Sequence, residues 1–321
     1  TDPRTGRGRL GRLRLVRRLI FAATLLSVGG WALVATTNDA NALGMLLGFA
    51  PRWWAVLPWA LLLPLSFFAG GRGVAAAFVG AAAALFGVAQ FELPALSTWR
   101  QNERSRPDIR VVSYNTDLST TLAYRIRADL RAWDADIVLL QDCKTELFDS
   151  LRVVVPHAYV HDRFCYASRW PLVNVADATK LKGANGTLRL YRDAVRFRVR
   201  TPFGVLPVYS VHFPSPRYAL GAARWFTPRA LLPRLRESLA ERGGVSAGVS
   251  AVVNRAQSHY LVAGDFNLPF GSAILQRDWG DLTNAFAHAG FGFGYTMQAG
   301  IFPVRIDQVL VPSGLVPTKA R

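Results

Sequence analysis

An acid and an amide stand two residues apart where an apolar run ends: His259-Tyr260-Leu261-Val262-Ala263-Gly264 leads into Asp265-Phe266-Asn267. On an extended chain, residues two apart share a face. One can hold a proton or a metal-bound water while the other donates to an anionic oxygen. Phe266 between them is expected to turn back into a core. The four letters GDFN also suit a plain Asx-turn. What argues for chemistry is company: Asn115, Asp142, His212 and Asp307 also follow short apolar runs. Loops at the ends of sheet strands are where a rigid scaffold collects its reactive groups.

The elements that must position these groups follow from hydrophobic periodicity. Strands are expected at Arg110–Tyr114, Ile137–Leu140, Phe164–Ser168, Thr187–Val199, Val205–Val211, His259–Gly264 and Arg305–Val311. The continuous apolar Ile137–Leu140 predicts a strand buried on both faces, and the alternation of Thr187–Val199 predicts strands exposed on one side. Helices are expected at Leu122–Trp133, Lys144–Leu151 and Pro228–Leu239, with a second helical piece at Ala251–Ser258 and a Gly- and aromatic-rich loop at Gly290–Gly300.

The first third of the chain is different. Seven arginines lie within residues 1–18, and Leu19–Thr36 then carries no charge. Trp53–Ala69 and Gly73–Phe91 are two more apolar segments, and ~20 residues cross a bilayer core. Three membrane helices over residues 19–91 are therefore expected, with Trp53, Trp54 and Trp59 as interfacial anchors. Leu43–Ala50 is too short to span and is expected to lie at the interface or to extend the second span. The basic residues 1–18 should stay in the cytoplasm, with Arg72 on the same side. Residues 92–109 then serve as a linker, and residues 110–321 form a domain outside the cytoplasm. The chain begins at Thr1 and not Met, so trimming of its start is expected.

Composition agrees. Apolar residues make up 51% of the 321, and the formal net charge is +17. The charge favours anionic partners such as phosphate esters, acidic lipid head groups or nucleic acid. Two cysteines exclude a cysteine-built zinc site and a dense disulfide framework.

The ordered set SYNT (113–116), LLQD (139–142), SVHFPSP (210–216), GDFN (264–267) and RIDQVLV (305–311) resembles the endonuclease/exonuclease/phosphatase superfamily, the deoxyribonuclease I-like proteins, over roughly residues 108–315. The resemblance implies a four-layered α/β sandwich of two mainly antiparallel sheets with helices outside, hydrolysing phosphoesters with Mg2+ or Mn2+. With three apolar spans in front, the layout is similar to the membrane-anchored phosphatases linked to teicoplanin resistance, which act outside the membrane on a polyprenyl pyrophosphate. Carried over residue by residue, the resemblance makes His212, Asp265, Asn267, Asp307 and Gln308 catalytic. It gives phosphate contacts to Asn115, His212 and Asn267, and metal contacts to Asp142, Asn115 and Asp307.

This sequence departs from the pattern twice. Asp142 stands for a glutamate, one methylene shorter. Gln308 stands for a histidine, and can neither carry charge nor move a proton; by comparison with loss of one oxyanion donor, its cost is ~3–4 kcal/mol. Three functions follow. The first is a membrane-anchored, divalent-metal-dependent phosphohydrolase acting on an extracytoplasmic phosphate ester or lipid pyrophosphate, with Arg217, Arg224 and Arg229 gripping an anionic head group. The second is a metal-dependent nuclease, less favoured because no basic groove interleaved with aromatics stands out. The third is an impaired member that binds phosphate without turnover. Cys143 and Cys165 fall on strands this fold brings close, and are either a disulfide or two buried thiols.

Overall fold

The computed structural model describes residues 3–96, 98, 109–117, 123–152, 154–176, 180–182, 188–190, 193–224, 228–255 and 259–321. Most of the expected linker, residues 97 and 99–108, lies outside them, as do Leu122, Thr187 and 256–258.

The first sheet is built of β1 (Val111–Asn115), β2 (Ile137–Gln141), β3 (His157–His161) and β4 (Phe164–Ser168), in the order β1-β2-β4-β3. After it come β5 (Leu172–Ala176), a two-stranded hairpin of β6 (Lys180–Lys182) and β7 (Leu188–Leu190), then β8 (Ala194–Thr201), β9 (Gly204–His212), β10 (Leu261–Asp265) and β11 (Thr283–Asn284). A hairpin of β12 (Met297–Ala299) and β13 (Phe302–Val304) precedes β14 (Asp307–Val311). The second sheet has the order β11-β14-β10-β9-β8-β5. Among the described strands, only β1–β2 and β9–β10 pair in parallel.

The period of two explains the layers. Ile137 and Leu139 of β2 face Phe197, Val208, Leu261 and Ala263 across the inter-sheet core. Val138 and Leu140 face the other way, onto Ile126, Leu130, Leu147 and Leu151 of the helices Ala123–Trp133 and Thr145–Arg152. On the second sheet, Val262 and Leu310 pack outward against Val249, Val253, Ile274 and Trp279 of the helices Pro228–Val253 and Ala273–Trp279. Helix, sheet, sheet, helix is the four-layered α/β sandwich. The helix expected at Pro228–Leu239 runs on through Pro233 to Val253, and the second expected piece, Ala251–Ser258, gives way to a turn at residues 254–255. Strands β3, β5, β6, β11 and β12–β13 were not legible: each is short and offers little alternation to count.

Among the described residues, the N-terminal third supplies two helices long and apolar enough to cross a membrane, Gly11–Ala40 and Gly71–Val88, and a third if Ala42–Gly48 and Arg52–Ser66, bent by 73°, count as one span. The expected span Trp53–Ala69 holds a 3-10 turn, Arg52–Val56, and a ten-residue helix, Leu57–Ser66. Thr24 Oγ1 donates to Ala76 O at 2.8 Å, and Gly87 packs under the Trp31 ring, so the first and last of these helices run parallel. Trp59 Nε1 donates to Ser27 Oγ at 3.1 Å inside the bundle, a buried polar tie of the kind that joins apolar helices.

Leu43–Ala50, expected at the interface or as an extension of the second span, packs onto the sandwich. The helix Ala42–Gly48, capped by Asn41, drives a fully buried Met45 and, just beyond it, Phe49 into a core with Ala219, Leu235, Val304 and Ile306. Asp39 accepts from Ser272 Oγ at 2.6 Å and Ile274 N at 3.3 Å. On the return, Phe91 meets Phe291 and Phe293 edge-on, and Glu92 bridges to the backbone of Gly292. The helices and the sandwich thus share a packed seam.

Candidate active site

Extending the inward faces to the strand ends brings the reactive groups together. Val309 and Val311 lie in or against the inter-sheet core, so Asp307 on the same strand points inward. The same count places Asp265 beyond Leu261 and Ala263, His212 beyond Val208 and Ser210, and Asn115 beyond Val111 and Ser113. Pairing fixes the rest: Asp265 lies opposite Asp307 on one side and His212 on the other. Gly264 makes this approach possible. Its φ is +148°, and any Cβ there would collide with the Val211 carbonyl.

Asp265 is clamped at both oxygens. Asn115 Nδ2 donates to Oδ2 at 2.9 Å, and the Asn267 backbone N–H donates to Oδ1 at 2.8 Å. Burial raises its pKa, against the pull of Asn115, His212 and the Asn267 amide. Asp307 is pushed up to about 8, first by burial and then by the negative charge of Asp265. His212, 6% exposed, lies between two carboxylates. Its Nδ1 is 3.3 Å from Asp142 Oδ1, close enough for an ion pair though poorly aligned for a hydrogen bond. Its Nε2 lies 3.4 Å from Asn115 Nδ2 and 3.9 Å from Asp265 Oδ2. A carboxylate at Nδ1 selects the Nδ1–H tautomer and turns Nε2 toward Asp265.

Two expected roles shift. Asn267, in the left-handed region at φ +49°, donates its Nδ2 to Phe213 O at 2.8 Å, so its amide first braces the loop. Gln308 does not join the cluster. One residue beyond Asp307, its side chain takes the opposite face, where Oε1 accepts from Asn284 Nδ2 at 2.7 Å. The catalytic role carried onto Gln308 by the motif is therefore not what its position provides. Gln308→His is expected to leave the hydrolytic rate within about threefold of the parent, and to lower stability by about 1–2 kcal/mol through the lost buried hydrogen bond. Parallel rate and melting measurements check this; a hundredfold gain in rate would overturn the placement.

Several working residues escaped the sequence reading. Gln141 extends the inward face of β2, donating to Ser210 Oγ at 3.1 Å and Ser113 Oγ at 3.3 Å. Arg163, in the turn between β3 and β4, sits 3.5 Å from both Asp142 Oδ1 and Asp193 Oδ1. Burial alone would raise Asp142, but His212, Arg163 and Arg217 together hold it below the usual carboxylate range. Arg242 is fully buried and donates NH1 to Asn267 O at 2.9 Å. No local pattern distinguishes Arg163 or Arg242 from the many other arginines. Of the three expected to grip a head group, Arg217 is exposed at the rim, 3.3 Å from Asp117; Arg229 is exposed, and the side chain of Arg224 lies outside those described.

Cys143 and Cys165 form a disulfide across a separation of 22 residues, with Cα atoms 5.7 Å apart. It ties the Asp142 strand end to the Arg163 turn. Closing a loop of that length is worth about 3 kcal/mol.

Among the described residues, no group of three His, Cys, Asp or Glu side chains is arranged to hold a metal ion. The donors nonetheless suit a hard cation. Asp307 Oδ1 and Gln141 Oε1 are buried acceptors without partners, and Asp307 faces a second carboxylate in register. Magnesium needs only one or two protein carboxylates and otherwise keeps water.

A sandwich of this kind, with a buried acid–histidine–amide cluster at one end of its inter-sheet layer, defines a class of phosphoester hydrolases. The chain belongs to the Endonuclease/Exonuclease/phosphatase family, whose model matches residues 112–321. Members of the family hydrolyse phosphoester bonds, typically with divalent metals. Solved structures similar to this chain include a β-hairpin deletion mutant of beta toxin from Staphylococcus aureus, at 12% identity and TM-score 0.44, covering 67% of this chain and 89% of that one. Sphingomyelinase C from Streptomyces griseocarneus is 17% identical at TM-score 0.43, covering 67% and 86%. D. rerio TDP2 with a single-strand DNA product is 14% identical at TM-score 0.45, covering 66% and 85%. No curated protein matches the chain.

Proposed function

We propose that the chain is a membrane-anchored, divalent-metal-dependent phosphohydrolase whose catalytic domain lies outside the cytoplasm and acts on the phosphoryl group of a membrane lipid, a polyprenyl pyrophosphate being the substrate class that fits best. One observation carries the reading: the Asp265–His212–Asn115 cluster belongs to a sandwich packed, through Asp39, Met45 and Phe49, onto apolar helices. Such a seam holds the site at the level of lipid head groups. The arginines of residues 4–18 stand at the far end of the first helix, which favours the opposite side of the membrane for the domain. The Cys143–Cys165 disulfide supports the same oxidising side.

In this reading Asp265 accepts the proton of the attacking water. Both its oxygens are already oriented by donors, so the carboxylate is held in place to take that proton. His212, steadied by Asp142, presents Nε2 to the phosphoryl oxygens and donates once protonated. Arg163 fixes Asp142 in turn. Asp307, with Asp265, Asn115 and the Gln141 amide oxygen, would hold the metal, and Asp142 is within the same cluster. Bound there, the ion would supply charge neutralisation at the non-bridging oxygens.

The test uses the full chain in neutral detergent with a polyprenyl pyrophosphate and, separately, plasmid DNA. Phosphate release that EDTA abolishes and Mg2+ restores is expected. Faster DNA cleavage than phosphate release would favour the nuclease. Turnover of neither, with magnesium still bound, would favour a phosphate-binding member without catalysis.

A further inference from the structure

The seam contains a second cationic site that the hydrolytic chemistry does not use. Arg52, in the turn before Leu57–Ser66, and Arg305, two residues before Asp307, line one cleft of about 20 Å3 with Gln90, Phe270 and Tyr295. Space of that size takes one or two waters, so an entering phosphoryl group would seat one or two of its oxygens there. Arg305 is 4% exposed. Phe270 and Phe286 hold its guanidinium by the faces, at 3.7 and 4.7 Å, and its NH2 reaches Glu92 Oε1 at 3.4 Å. Its Nε and NH1 are buried without an acceptor, as is NH1 of Arg52.

Among the described residues, Glu92 is the one carboxylate against these two guanidiniums, and the cleft carries excess positive charge. Burial pushes Arg305 down to about 10 against the pull of Glu92, and the charge of Arg52 adds to the fall. Buried donors on charged groups are costly to leave unpaired, and arginine forks match phosphoryl oxygens. The location selects the anion. Trp53, next to Arg52, donates Nε1 to Ile301 O at 3.3 Å, and Trp54, Leu93 and Ile301 are exposed apolar side chains. Tryptophan and exposed aliphatics beside the end of an apolar helix mark the membrane–water interface, the depth of lipid phosphates.

We propose that Arg52 and Arg305 form a binding site for the phosphodiester of an anionic membrane phospholipid, lodged between the apolar helices and the catalytic domain. The proposal rests on the membrane-anchored reading but not on hydrolysis. The bound lipid would complete the seam on the strand that carries Asp307, since the Arg305 carbonyl also accepts from Phe270 N at 3.0 Å.

The full chain carrying Asp265→Asn, so that no lipid is consumed, is titrated in neutral detergent with short-chain phosphatidylglycerol, with diacylglycerol of the same chain length, and with inorganic phosphate. Melting is followed by tryptophan fluorescence, and retention by native mass spectrometry. Phosphatidylglycerol should raise the midpoint saturably and diacylglycerol should not. Adding Arg52→Gln should weaken the lipid roughly tenfold or more by loss of a charge-assisted pair. Adding Glu92→Gln, which removes the competing carboxylate, should tighten it. Inorganic phosphate binding as tightly as the lipid would overturn the lipid assignment. A response to diacylglycerol equal to that of phosphatidylglycerol, or an unchanged affinity in Arg52→Gln, would overturn the anion site. Failure of the hydrolytic reading would show separately, as absent phosphate release in the parent while the lipid shift persists.

Discussion

Replacing Asp265 with asparagine should lower phosphoester hydrolysis by about three orders of magnitude while leaving the sandwich folded. General-base catalysis is worth roughly 10²–10⁴-fold, and the amide can neither take a proton nor attract a cation. The geometry argues against a purely structural role. Both carboxylate oxygens accept from donors that asparagine can only partly satisfy, yet the strand register with β9 and β14 rests on backbone pairing and would persist. The check is kcat in micelles with saturating Mg2+, alongside circular dichroism and a melting curve. A variant that melts like the parent and keeps more than a tenth of its rate would remove Asp265 from the chemistry. His212→Ala should cost less, because in the proposed mechanism Asn115 and a bound ion would still face the phosphoryl group.

The second large effect concerns pH. In metal-free protein, stability should fall as pH rises from about 4 to about 8 because of Asp307. An unfolded aspartate titrates near ~3.9, whereas the folded side chain is pushed up to about 8 by burial and by Asp265. Between those values the native state holds a proton that the unfolded state has released, so unfolding becomes easier with each step upward. Above about 8 the dependence levels off. Asp307→Asn cannot ionise. It should flatten this slope and be more stable than the parent at pH 8, by an amount on the order of a few kcal/mol. Magnesium should act like the mutation: a cation between the carboxylates raises the parent's melting midpoint at pH 8 and hardly moves that of Asp307→Asn. Thermal melts across pH with EDTA and with Mg2+ decide the matter. Equal slopes in parent and variant would sink the assignment of the buried proton to this residue.

Much of this was legible beforehand because it depends on short-range order. A run such as Ile137–Leu140 has one good fate, a strand covered on both faces, and it lies between the inter-sheet core and the outer helices. The strand-end polar groups Asn115, His212, Asp265 and Asp307 could be placed because a period of two carries the inward face to the end of each strand. The same arithmetic, applied strictly, puts Gln308 on the opposite face from Asp307; the motif suggested otherwise, and the alternation prevailed. Arg163 and Arg242 were not legible. Their partners, Asp142, Asp193 and the Asn267 carbonyl, lie 21 to 30 residues away, and local composition says nothing about which arginine will meet them.

The sequence alone determined the sandwich, its family, the apolar helices before it and the inward-facing acids, because hydrophobic periodicity and ordered motifs are local properties. Only the tertiary structure decided that Leu43–Ala50 plugs the catalytic domain, that Cys143 joins Cys165, and that Arg52 and Arg305 meet at one cleft. Hydropathy scores a methionine the same whether lipid or protein covers it, and charge scores an arginine the same in water or under a phenylalanine. What covers a side chain depends on which distant segments fold against it, and for this chain that choice shaped the surroundings of Asp265 and Asn267.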